Sequence, residues 1–113
     1  QAPVVLVFCV DLQVVASTDK NLDRIGVISG GSIYPFVWNT LLAARSEGFG
    51  GTITTLAIAQ EPALQKALNI PAHVAIAAIV PLGKPQKQLS KLRRRSVEDI
   101  VKLERFDGAP FKG

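Results

Sequence analysis

Two unbroken apolar runs, PVVLVFCV at residues 3–10 and VAIAAIVPL at residues 74–82, constrain this 113-residue chain more than any other feature. Neither alternates apolar with polar side chains, so each reads as a core strand buried on both faces. Val and Ile favour extended backbone, and Gly83 and Pro85 close the second run. Both runs fall well short of the ~20 residues that span a bilayer. A chain of this length has room for one core and buries about two-thirds of its unfolded surface. Yet 48% of its residues are hydrophobic and only 19% charged, with a mean hydropathy of +0.27. Polar surface is scarce for a free-standing globule, so part of the exterior is expected to meet protein.

The intervening segments supply the cover. Residues 11–31 collect Ser17, Asp19, Asn21, Asp23, Gly26 and Gly30-Gly31, turn formers that read as a long connection with room for one short helix. Ser32 is placed to cap a helix over SIYPFVWNTLLAARSEG, with Pro35 in the first turn and an end near Gly48. Its apolar residues cover more than one stripe, which predicts a helix buried nearly all round. GFGGTITTLAIA follows as an extended, glycine-led segment. A second helix is expected over Glu61–Leu68, with Pro62 in its first turn and Asn69 and Pro71 beyond its end. Ser96 with Asp99 fits the cap of a short helix in SVEDIVKL. Phe106 and Phe111 stand in the polar tail as hydrophobic hooks.

The net charge of +4 is uneven. Lys84, Lys87, Lys91, Arg93, Arg94 and Arg95 lie in one stretch free of acids, which carries +6, while the rest of the chain is slightly acidic at −2. A local cluster on a near-neutral body suits one anionic partner at one place. Nucleic-acid binders spread charge along a face and interleave aromatics, and no aromatic lies between Lys84 and Arg95, so no nucleic-acid partner is expected. By residue pattern alone a solvated basic loop and a phosphate site are equally compatible with this stretch.

Side-chain catalysis is poorly supplied. His73 is the lone histidine, in a helix-to-strand connector, and Cys9 lies within an apolar run, where a small buried hydrophobe is expected. One Cys and one His cannot make an internal disulfide or a zinc site. Glu98 and Asp99 sit where acids favour a helix start. With no catalytic side chain and no metal site, what remains is binding, structure, or chemistry lent by a cofactor. A phosphorylated flavin or nucleotide needs fixed cations and free backbone N–H groups. The arginines and GFGGTITTL offer these, although the glycine pattern is neither a Walker A loop nor a dinucleotide fingerprint.

Several segments in order resemble the FMN-dependent nitroreductase family, in the form common among actinobacteria and over its C-terminal half: AP with a strand ending in Asp11, GGSIYPFVWNTLLAARSEGFGG, TITTL, LNIPAHVAIAAIVPLGKP and RRRSVEDIVKLERF. The resemblance implies a single, partial nitroreductase-like domain of α+β class, a mixed sheet with a central buried helix, lacking the family's N-terminal half. It implies FMN as cofactor, with Thr54, Thr55 and Leu56 lending backbone N–H groups to the ring and Arg94, with Arg93 beside it, meeting the phosphate. Relatives have proline where this chain has Ser96.

The implied activity is an NAD(P)H-dependent oxidoreductase that passes electrons to nitroaromatics, quinones or similar small acceptors as a homodimer. The alternative is a non-catalytic fragment, or a flavin-binding structural subunit, completed by another chain. With no signal peptide or membrane span in the sequence, a soluble cytoplasmic protein is expected. Gln in place of an initiating Met implies processing, truncation or an upstream part.

Overall fold

The computed structural model describes residues 2–112. In chain order it contains β1 (Val4–Asp11), α1 (Tyr34–Ser46), β2 (Gly50–Gly51), α2 (Glu61–Leu68), β3 (Val74–Gly83) and α3 (Val97–Ile100), with 3-10 turns at Ile28–Ser32 and Leu56–Gln60. The class is α+β, as expected. The three strands form one antiparallel sheet in the order β1-β3-β2.

β3 is the central strand because both of its edges are paired, and it contributes Ile76, Ala77, Ala78 and Val80 to the core. The expectation of a strand buried on both faces holds there and fails for β1. An edge strand, β1 leaves Val4, Val5 and Cys9 exposed, so Cys9 is not the buried hydrophobe anticipated. An apolar run reports what its side chains tolerate, whereas cover depends on what else the chain can lay over them.

The β1–β3 register shifts between Phe8 and Cys9, whose partners are Ala78 and Ile76, and Ala77 is the extra residue. Such a bulge frees backbone groups from the ladder. Helix-borne side chains engage two of the groups beside it: the Tyr34 hydroxyl donates to the Ala77 carbonyl at 3.0 Å, and the Ile76 N–H donates to Glu61 Oε1 at 2.6 Å. The bulge thereby ties β3 to both longer helices.

α1 packs Val37 onto this sheet in a cluster with Phe8, Ile33, Ala77, Ala78 and Val80. Phe36 meets Phe8 edge-to-face, with ring centroids 5.5 Å apart. The helix is not buried all round, however: Phe36, Trp38 and Leu42 are 60%, 57% and 51% exposed. The sheet can cover only one stripe of a helix, and no second layer of this chain lies over the others. Ser32 is not the cap; it closes the preceding 3-10 turn, and Ile33 occupies the cap position with no side-chain bond.

The helix ends as a Schellman turn, with Gly48 at φ +81°, Gly48 N–H bonded to the Arg45 carbonyl and Phe49 N–H to the Ala44 carbonyl. α2 spans the expected residues and ends on Asn69 in the left-handed region. Ser96 caps α3 by accepting from the Asp99 N–H at 3.3 Å, but the helix stops at Ile100. In the tail, Phe106 is fully exposed and Phe111 is 40% exposed.

The molecule measures 50 × 44 × 21 Å, with a radius of gyration of 17.8 Å. A compact domain of this length would have a radius of about 13 Å. Its accessible surface of 9210 Å² likewise exceeds the roughly 6,000 Å² of a globular monomer of its mass. Among the described residues no helix is long and apolar enough to cross a membrane.

Candidate functional site

The Schellman turn of α1 sets the position of the glycine-led segment. It redirects the chain into β2, where Gly51 pairs with Leu82 of β3. The approach is close: a Cβ on Gly51 would lie 2.5 Å from Leu82 Cδ2 and 2.9 Å from Leu41 Cδ2. Two glycines thus bring the main chain against β3 and leave the outer face of α1 beside it. The extended course lasts only to Thr55, because Leu56–Gln60 turns into a 3-10 helix instead of continuing as strand.

A cleft of about 680 Å³ opens between these elements and the basic stretch, lined among others by Trp38, Leu42, Phe49, Thr52, Ile53 and Arg94. This volume lies within the roughly 300–1,000 Å³ of small-molecule sites. Residues 86–95 have no helix or strand of their own. They are held at one point by Arg45 of α1, whose Nη2 donates to the Leu89 carbonyl at 2.9 Å.

The five residues suggested by the sequence fare differently. Arg94 lines the cleft; its only bond among the described residues is a long one, 3.5 Å, from Nη1 to the Arg93 carbonyl. Arg93 is exposed and is not part of the cleft wall. Neither arginine pairs with an acid among the described residues. Thr54 follows the cleft residue Ile53, but its N–H is already given to the Ile79 carbonyl at 2.9 Å, and its own carbonyl accepts from Ile79. While that bridge stands, the Thr54 N–H is not open to a ligand. The Leu56 N–H reaches Thr54 Oγ1 at 3.5 Å, and the Leu56 side chain is 87% exposed. The Thr55 N–H has no partner among the described residues.

No group of His, Cys, Asp and Glu among the described residues could hold a metal ion. The His73 carbonyl accepts from the Leu12 N–H at 2.9 Å, a connector role. Desolvation and, secondarily, the Glu61 carboxylate push the Cys9 thiol above its ordinary pKa, which disfavours the nucleophilic thiolate.

The sequence marks Asp19 only as a turn former and carries no signal of its burial. It is 4% exposed, and its Oδ2 accepts from Arg24 Nη1 at 2.8 Å, from the Val27 N–H at 2.8 Å and from the Ile28 N–H at 3.4 Å. Its Oδ1 is buried without a partner among the described residues. The Val27 N–H is the leading cause of a lowered carboxyl pKa, opposed by burial and aided by Arg24. The loop it organises borders a second hollow of about 640 Å³, which is lined by Gly30, Tyr34 and Ala77 among others and by no charged side chain.

For a flavin phosphate the first cleft therefore fits and the second does not. The first joins an unpaired guanidinium to an aromatic and aliphatic wall. The model of the nitroreductase family matches residues 1–84, a span that includes Thr54, Thr55 and Leu56 and stops short of Arg93 and Arg94. No curated protein matches the chain. With the match covering most of the sequence and the α+β fold agreeing, the chain belongs to the nitroreductase family of flavin-dependent oxidoreductases.

Proposed function

We propose that the chain forms the flavin-holding part of an FMN-dependent oxidoreductase that takes electrons from NAD(P)H and delivers them to nitroaromatics, quinones or similar acceptors. The observation that carries this reading is the placement of Arg94 in one cleft with Trp38, Thr52 and Ile53. When bound, FMN supplies the hydride and electron transfer for which this chain has no side chain. Arg94, with Arg93 beside it, binds the phosphate through charge-assisted hydrogen bonds. Of the three residues expected at the ring, Thr55 is the one whose N–H is open to donate; all three follow the cleft residue Ile53 without lining the cleft themselves. Trp38 and Leu42 keep water from the cleft wall. The working form is a homodimer, in which the exposed face of α1 is covered.

Replacing Arg93 and Arg94 together with Ala is expected to weaken FMN binding about tenfold or more, the loss of at least one charge-assisted contact. Circular dichroism should stay unchanged, because both side chains are exposed. Flavin fluorescence quenching measures the affinity, and an unaltered Kd would remove the phosphate assignment.

The excess surface favours a second reading, a non-catalytic or structural piece completed by another chain. Flavin uptake separates the two: a chain that remains colourless after incubation with FMN supports the second.

A further inference from the structure

A third hollow adjoins the cleft just described and shares Arg45 and Leu89 with it. It measures about 460 Å³, and its charged lining residues are Arg45, Lys84 and Lys87. No acid and no aromatic lines it, and none of these three cations enters an ion pair among the described residues. The two hollows share Arg45, Gly50, Gly51, Thr52, Gln88 and Leu89. They are neighbouring halves of one surface, and the Arg45 side chain, bonded to the Leu89 carbonyl, belongs to the wall of both. Of the six cations of the basic stretch, Arg94 lines one half and Lys84 and Lys87 the other, while Lys91, Arg93 and Arg95 line neither.

We propose that Arg45, Lys84 and Lys87 form a second anion site, which takes the 2′-phosphate of NADPH and makes NADPH the preferred electron donor. The identity of this ligand rests on the oxidoreductase reading above; the anion site itself does not. A phosphomonoester is a compact dianion that needs both charge and directed donors. Arg45 uses one guanidinium N–H on Leu89 and keeps the remaining donors of its fork, while the two ammonium groups add mobile charge. Thr52 offers a hydroxyl on the shared wall. A nucleic-acid strand would require stacking surfaces that this half lacks. The flavin phosphate, the other available phosphomonoester, is assigned to the Arg94 half. A dinucleotide anchored in the lysine half extends toward the flavin past Gly50, Gly51 and Thr52, which line both hollows.

The test is calorimetric titration of 2′,5′-ADP, 5′-ADP and FMN, at about 0.1 M salt so that screening does not mask surface charge. The proteins are the wild-type chain, Lys84→Gln/Lys87→Gln and Arg93→Ala/Arg94→Ala. The lysine pair should weaken 2′,5′-ADP about tenfold while changing FMN by no more than about twofold, and the arginine pair should do the reverse. Wild-type protein should prefer 2′,5′-ADP over 5′-ADP. The inference is overturned if wild-type takes up no 2′,5′-ADP at millimolar concentration, if 5′-ADP binds equally well, or if either variant pair loses both ligands together. If FMN fails to bind wild-type while 2′,5′-ADP retains its lysine dependence, the flavin reading falls and the anion site stands.

Discussion

Asp19 shows how a single carboxylate organises a long connection. Two backbone N–H groups and the Arg24 guanidinium converge on Oδ2, tying residue 19 to residues 27 and 28 at the foot of α1. Because these contacts favour the ionised form, the folded-state pKa lies below that of the unfolded chain. Their stabilisation is therefore fully present above about pH 4, the ordinary carboxylate range, and is lost as pH falls through the depressed folded value. Thermal melts should show the wild-type chain losing stability on acidification. Asp19→Asn should melt lower at neutral pH and respond less to acid; equal melting of the two proteins at pH 7 would contradict this role. Burial of Asp19 was illegible because a turn-forming Asp in a polar segment looks the same whether its carboxylate faces solvent or the loop's own N–H groups. The Thr54 N–H was illegible for a related reason, since its bond to Ile79 joins residues 25 apart.

Elements with local causes were legible. α2 follows from Glu61-Pro62 at its start and Asn69 in the left-handed region at its end, and the Ser96 cap is a contact three residues long. β3 was legible because its apolar run is buried as its composition requires, with Ile76, Ala77, Ala78 and Val80 all in the core. β2 was legible only in part: the Ile/Thr run favours extended chain and the glycines permit it, but only two residues pair, because the following turn moves away to α2. The same junction makes Gly51 sensitive. A methyl there must displace Leu82, Leu41 or the Pro81 carbonyl, which would lie at 3.0 Å. Gly51→Ala is expected to cost about 1–3 kcal/mol in chemical denaturation, the range for overpacking. Because Gly51 is also a wall of both clefts, ligand affinity should fall with it.

At the scale of the molecule, the flat shape and surplus surface describe a layer and a half: a sheet with one helix on it and much apolar side chain left open. Phe36, Trp38 and Leu42 on α1, Val4 and Val5 on β1, and Phe106 in the tail are all more than 45% exposed. The surplus over a globular monomer is about 3,000 Å², the scale of obligate interfaces. Sedimentation at micromolar concentration is expected to show a species heavier than the 12.1 kDa chain. A clean monomer would count against the homodimer and leave these faces to a different partner.

By itself the sequence determined where most of the backbone is extended or helical and which family's succession of segments it carries. Each of those depends on residue type and near-neighbour spacing. Only the tertiary structure decided which apolar faces are covered, which N–H groups remain open, and which cations of the basic stretch line which hollow. These are properties of contacts between residues tens of positions apart, and hydrophobicity, having no direction, cannot specify them from composition or spacing.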